Sequence, residues 1–450
     1  MVEPTHEPPS YDGYGFESLV VSSNAASDLP AYTRRPTPPP PTAAAVPQEP
    51  REFSYEIKTR SGTPWAKMTI QGNQRLTGKV VPTMLEGDKL KGRVTLSLAS
   101  AETIQAVCVL IKGSIVDANA SGPVTQTPFL QLKHTLWSAS EGDPNGSAGA
   151  PKVKLKGEYE WPLSISLPAA LQKAGKTYSL PHTFLDRIAA FSVRYTAELR
   201  VVRGKLRMDD KVMCVFGYFS MCQPDPPSLL RQLAYQENSP LLGPEADPEG
   251  WLTQEFSCKG IVFSSRMINV KCTFSLATPL CYTRSASIPC SMMLESQDLQ
   301  ALDLIASPAA CIVYLERVMH DDTEGVADVH EPCGQAVFWP STEGAATDSA
   351  SSRRHLMGEI HLKISLQPSS AVPSFSVNYS VVVFPFQAPA FKPLETTPIF
   401  RQPVQIVTRY AAGPRQRVYS TPSYENRNAV VDYYYYSMVL QNRTIGRRRG

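Results

Sequence analysis

The chain is predicted to be all-β, with two tandem β-sandwich domains and disordered ends, and three observations lead there. Apolar and polar residues alternate with a period of two through much of residues 51–410. Clusters of Gly, Pro, Asn and Asp interrupt that alternation at short intervals, as at 143–151. The ends carry proline without any periodicity. A period of two places successive side chains on opposite faces, which is the pattern of a half-buried strand and not of a helix.

Residues 1–50 hold many Pro, Ser and Ala and few aliphatic side chains. They offer too little apolar surface to offset the entropy of ordering, so they form a disordered, Pro-rich tail in this reading. Alternation begins at Phe53, and strands fit 90–98, 103–116 and 129–137. Tyr159, Trp161, Leu163, Ile165 and Leu167 share one face, with Glu158, Glu160, Ser164 and Ser166 on the other. Val193, Tyr195, Ala197, Leu199 and Val201 oppose Arg194, Thr196, Glu198 and Arg200, and a strand at 211–219 completes a first domain over 51–222. Residues 223–250, rich in proline and acidic side chains, read as a linker or long crossing loop.

A second domain over 251–410 starts where alternation resumes, at Trp251. Ile268, Val270, Cys272, Phe274 and Leu276 face away from Asn269, Lys271, Thr273 and Ser275. Ile360, Leu362, Ile364 and Leu366 alternate with Glu359, His361, Lys363 and Ser365, and Phe375, Val377, Tyr379, Val381 and Val383 follow. Only 297–306 reads as helix, with Ser296 as its N-cap. Residues 323–352 read as a long exposed loop, and 411–450 as a flexible C-terminal tail. Two sets of antiparallel strands around a proline-rich joint give two sandwiches.

Composition excludes several functions. A net charge of +3, from 44 basic and 41 acidic residues, gives no field for nucleic acid. The nine cysteines contain no Cys-x-x-Cys pair, and Cys272, Cys281 and Cys290 lack the second pair that a tetrahedral metal site needs. No metal and no cofactor is expected; the thiols read as reduced, in a reducing compartment. The first ten residues carry Glu3 and Glu7 where a signal peptide needs a basic start and an apolar run, and no stretch is long and apolar enough to span a membrane. The expected location is cytoplasmic, so the sequons at Asn119, Asn145, Asn378 and Asn442 read as chance. No nucleophile elbow, phosphate loop or dinucleotide fingerprint occurs. The one compact acid–base cluster, His320 with Asp321 and Asp322, follows the strand at 311–318 and reads as a solvated loop, so no catalytic residue is assigned.

The ends are more specific. Pro8-Pro9-Ser10-Tyr11 is a Pro-Pro-x-Tyr motif, expected by chance about 0.15 times in a chain of this composition. In a polyproline II helix, with three residues per turn, Pro8 and Tyr11 lie on one edge and Pro9 completes the ridge. WW domains read such ridges in aromatic-lined grooves. Leu29-Pro30-Ala31-Tyr32 and Thr421-Pro422-Ser423-Tyr424 are one-proline variants, also in the predicted disordered ends. The proline run at 36–41, beside Arg34 and Arg35, reads as an SH3 ligand or a stiff spacer. The tyrosines at 433–436 and arginines at 447–449 could contact a membrane surface peripherally.

Four stretches carry a family resemblance: 76–98; 192–218, with Val202-Arg203-Gly204; 282–318, with Thr283-Arg284-Ser285, Ile288-Pro289-Cys290 and Gln300-Ala301-Leu302-Asp303-Leu304; and 358–410, with Tyr379-Ser380-Val381-Val382-Val383-Phe384-Pro385-Phe386 and Gln402-Pro403-Val404. In these the chain resembles fungal arrestin-like proteins of the α-arrestin, or arrestin-related trafficking adaptor, group. The resemblance implies an arrestin fold of two immunoglobulin-like sandwiches whose concave faces contact cargo or membrane. It further implies recruitment of a HECT-type ubiquitin ligase through its WW domains. Plasma-membrane transporters or receptors, held by their cytosolic segments, would then be ubiquitinated and internalised by endocytosis. It places the chain in the cytoplasm with transient recruitment to the plasma membrane or endosomes, in protein transport. The ligase contact falls on Pro8, Pro9 and Tyr11, then on Pro30, Tyr32, Pro422 and Tyr424; here Thr421 stands in place of the first proline of the last motif. Two alternatives remain open: an arrestin-fold scaffold for signalling or endosomal sorting without a ligase, and a β-sandwich enzyme or lectin-like binder around His320.

Overall fold

Alternating, β-branched and aromatic runs become strands through both halves of the chain. The structure, a computed structural model, describes residues 51–72, 81–117, 125–142, 154–185, 191–204, 207–321, 328–341, 352–373 and 375–421. All of these belong to one compact unit of the chain, spanning Pro50–Gly450.

In the first half come β1 (Arg51–Lys58), β2 (Pro64–Gly72), β3 (Thr83–Leu85), β4 (Lys89–Asp117), β5 (Thr125–Ser138) and β6 (Lys154–Ser166). The hairpin β7 (Ala170–Lys173) and β8 (Lys176–Ser179) precedes β9 (Phe184–Leu185), β10 (Phe191–Arg203) and β11 (Asp210–Phe219). All but the hairpin join one curled sheet. The sequence predicts two strands at 90–98 and 103–116; the structure runs them together as β4, with its register broken between Leu98 and Glu102. Before the break β4 pairs with β2 and β6, and after it with β5 and β10. One strand thus belongs to both layers of the sandwich, as at the corner of an orthogonally packed sheet pair. Met68, Ile70, Leu96, Trp161 and Leu163 come from one layer, and Val109, Ile111, Tyr195, Leu199 and Phe216 from the other, into a shared core. Gly92 is needed where β2 and β4 cross closely, because a Cβ there would meet Thr69 O at 2.0 Å.

The second half contains β12 (Trp251–Val262), β13 (Arg266–Ala277), β14 (Cys281–Thr283), β15 (Ser287–Glu295), β16 (Val313–Asp321), β17 (Val329–Pro340) and β18 (Arg353–His361). It ends with β19 (Ser370–Val372), β20 (Phe375–Val383), β21 (Phe391–Pro393) and β22 (Phe400–Val407). These form a second curled sheet, and β17 turns its corner, pairing first with β16 and then with β18. The faces predicted for β13 and β20 are found: Ile268, Val270, Cys272, Phe274 and Leu276 are buried, as are Phe375, Val377, Tyr379, Val381 and Val383. The protein is therefore all-β, two curled sheets making two sandwiches.

Several expectations fail. The predicted exposed loop at 323–352 contains β17, while 322–327 and 342–351 lie outside the described residues. The strand predicted through Ser365 stops at His361, and Ile364 is exposed. The predicted helix is shorter, α2 (Leu299–Ile305), and is capped by Asp298, whose side chain accepts from Ala301 N at 3.0 Å; Ser296 Oγ instead accepts from Asp298 N. The proline-rich joint is no plain linker, because it folds helix α1 (Leu229–Glu237). The face of β10 predicted to meet solvent is covered at Thr196 and Glu198, the latter held by Arg200. Finally, order does not fade at Tyr410: residues 411–421 pack back on the body.

Leu199 is fully buried, whereas Arg200 is one-third exposed and clamps the more buried Glu198 at 2.6 Å. Leu199→Ala should lower unfolding free energy by about 2–5 kcal/mol in urea titration. Arg200→Ala should cost about 1 kcal/mol. Equal, large losses would mean that the outer face contributes as much as the core.

Candidate functional site

The residues predicted to bind WW domains, Pro8, Pro9, Tyr11, Leu29, Pro30, Tyr32, Pro422 and Tyr424, lie outside the described residues. Thr421, the first residue of the last motif, is described and exposed. His320 sits at the end of β16 with Nδ1 2.5 Å from Asp328 Oδ1, and both side chains are nearly half exposed. That is a solvated pair at the end of an inner strand, and Asp322 lies outside the described residues. Cys272 and Cys290 are fully buried, and burial raises both thiols; it pushes Cys281 up to about 11. Such thiols stay protonated and unreactive near neutrality. Among the described residues no group of three His, Cys, Asp or Glu could hold a metal ion.

Two charged clusters serve the fold. Arg203, nearly buried, bonds Asp210 at 2.8 Å and Glu102 at 3.0 Å and lies over the Trp65 ring. Buried Glu316 pairs with Arg401 and His330, beside the Arg317–Glu331 pair. Opposite charges meet within each cluster, as buried ions require.

A different site emerges where the joint helix, the second sheet and the chain end meet. Helix α1 starts at Ser228, whose Oγ accepts from Arg231 N and donates to Asp247 Oδ2. It ends at Asn238 in the left-handed conformation. Arg231 is buried and donates to Thr278 O at 2.8 Å and Gly250 O at 2.5 Å, with its guanidinium over the Trp251 ring. Desolvation lowers its pKa from the ordinary arginine value. The helix thus buries Arg231 and Tyr235 and turns Leu229, Leu230 and Leu233 outward. Leu230 and Leu233 flank a groove of 650 Å³, lined on its other sides by Trp339, Met357 and Tyr419.

Glu359, two residues from the end of β18, is 1% exposed. A carboxylate so buried needs several donors. Its Oε1 accepts from Tyr419 N at 3.0 Å, Ser420 N at 2.6 Å and Ser420 Oγ at 2.7 Å, and its Oε2 accepts from Ser287 Oγ at 3.1 Å. His361 Nε2 lies 3.2 Å from the same carboxylate and 3.1 Å from Ser420 O. Both neighbours are acceptors, so the imidazole proton belongs on Nε2. Gln416 Nε2 donates to Ser287 O at 2.5 Å, Arg417 Nε to Tyr235 O at 3.0 Å, and the Tyr419 hydroxyl to Ser239 O at 3.0 Å. Residues 415–421 are therefore a strap, joined to the sheet through Glu359 and to the end of α1 through Arg417 and Tyr419. Arg417 also places a cation at the helix C-terminus, where the macrodipole favours it.

Sequence reasoning missed this site, because a period of two assigns Glu359 and His361 to solvent. With the geometry described, comparison with known proteins adds nothing further: no family model matches the chain, and no curated protein matches it.

Arg231→Ala removes the donor to Thr278 O and one of two donors to Gly250 O, which keeps Thr278 N, and should cost about 1–3 kcal/mol by thermal or urea unfolding. Arg231→Lys should not restore the loss, because an ammonium cannot reproduce the flat fork that reaches both carbonyls and stacks on Trp251. Full rescue by lysine would reduce the site to a simple charge effect.

Proposed function

We propose that this chain is an arrestin-like adaptor. It recruits a WW-domain, HECT-type ubiquitin ligase to plasma-membrane transporters or receptors, which are then ubiquitinated and taken up by endocytosis. The observation that carries the reading is Pro8-Pro9-Ser10-Tyr11, upstream of the first strand, with two related tyrosine motifs at Tyr32 and Tyr424. The two-sandwich body agrees with it, as does the position of Thr421, which starts the last motif directly from the surface of that body. No helix among the described residues is long and apolar enough to cross a membrane, so on this reading membrane proteins are met from outside the bilayer.

A single WW–peptide contact is small, so each motif should bind in the micromolar range, about 8 kcal/mol at 1 μM. Tyr11 and Tyr32 are 21 residues apart, a span of roughly 25 Å for a flexible chain. Two WW domains of one ligase can then be engaged together, and avidity raises apparent affinity by about 10²–10⁴-fold. In calorimetry with a tandem WW protein, Tyr11→Ala should weaken binding most, Tyr32→Ala less and Tyr424→Ala least. Undiminished binding by the Tyr11→Ala, Tyr32→Ala double variant would end this reading and favour a scaffold without a ligase.

A further inference from the structure

The strap has a sequence feature that its docking does not use. Arg415-Gln416-Arg417-Val418-Tyr419-Ser420 places arginines five and three residues before a serine. Basic side chains at fixed distances upstream of a hydroxyl are the charge pattern by which a class of protein kinases selects substrates. Both arginines are exposed: Arg415 lies with its guanidinium 4.0 Å from the Tyr410 ring centroid, and Arg417 reaches Tyr235 O through Nε alone. The hydroxyl that this pattern marks is the one bonded to Glu359.

We propose that Ser420 is a phosphorylation site for a kinase directed by upstream arginines, and that the phosphate unlatches the strap. In the transfer, Ser420 Oγ attacks the γ-phosphorus of ATP, the bond to ADP breaks, and the hydroxyl proton passes to the kinase's catalytic carboxylate. The product carries about −1.5 to −2 charges where one neutral O–H had donated to a carboxylate. Phosphoserine can neither supply that proton nor sit beside Glu359, which is 1% exposed and keeps Ser287 as its remaining hydroxyl donor. His361 Nε2 is already shared between Glu359 and Ser420 O.

The kinase need not prise the strap off. Short peripheral segments open locally at a cost well below global unfolding. Modification captures the opened state, and like-charge repulsion then prevents re-docking. Release withdraws the Tyr419 side chain from the groove beside Leu230, Leu233 and Trp339 and lengthens the tether leading to Pro422 and Tyr424. The inference rests on the Glu359–Ser420 geometry and does not depend on the ligase reading.

The test treats the full chain with ATP and a kinase that selects arginine at these two spacings, maps the phosphate by mass spectrometry, and follows trypsin cleavage after Arg415 and Arg417. We expect phosphate on Ser420 and at least about tenfold faster cleavage at both arginines. Ser420→Ala should show no kinase-dependent acceleration, even where Thr421 or another hydroxyl takes up phosphate. Absence of phosphate from Ser420 in the full chain would remove the site. Phosphate on Ser420 with unchanged cleavage would remove the latch.

Discussion

A carboxylate in the middle of a β-sheet has to be satisfied, and Glu359 is satisfied mainly by chain that arrives about 60 residues later. Its strand neighbours spend their backbone groups on the ladder with β15 and β17, so they cannot supply the donors. Two backbone amides and a hydroxyl from Tyr419 and Ser420 do so, with Ser287 beneath. This one requirement orders residues that look like tail, and through Arg417 and the Tyr419 hydroxyl it ties the end of α1 to the second sheet. An unpaired buried carboxylate costs far more than the few hydrogen bonds gained elsewhere, which makes the strap integral to the second sandwich.

The joint between the halves follows the same logic with the opposite charge. Arg231 is taken from water and compensated by two carbonyls, an aromatic face and the nearby Asp247. Gly250 makes room for this: a Cβ there would lie 2.1 Å from Asp247 Oδ2. The halves also touch through Phe184 and Phe375, whose ring centroids are 5.8 Å apart, and through Thr408, which donates to Ser220 O. Linker-like composition thus hides a packed and hydrogen-bonded connection.

Most of the fold could be read from the sequence wherever one strand face is dry and the other wet. Along 268–274 and 375–381 apolar and polar residues alternate and the predicted faces are buried, while Ser275 and Val382, off those faces, are buried as well. The failures share a cause: the pattern was read as though every polar residue faced water. Glu198, Glu359 and His361 are polar and buried because later chain or neighbouring strands cover them. Strand β17 carries His330, Glu331, Pro332 and Gly334, a run with no hydrophobic period, and is held by pairing at a corner. Helix α1 shows its leucines and buries an arginine and a tyrosine, the inverse of the expected amphipathic face. Residues 411–421 have almost no aliphatic side chains and are ordered by hydrogen bonds, which leave no periodic trace.

The central claim is that Glu359 holds residues 415–421 on the body. Amide hydrogen exchange read by mass spectrometry, on the intact protein and on Glu359→Ala, addresses it directly. The amides of Tyr419 and Ser420 should be protected in the intact protein and should exchange as an unstructured peptide in the variant, while β13 and β20 keep their protection in both. Fast exchange of those two amides in the intact protein, or undiminished protection in Glu359→Ala, would contradict it.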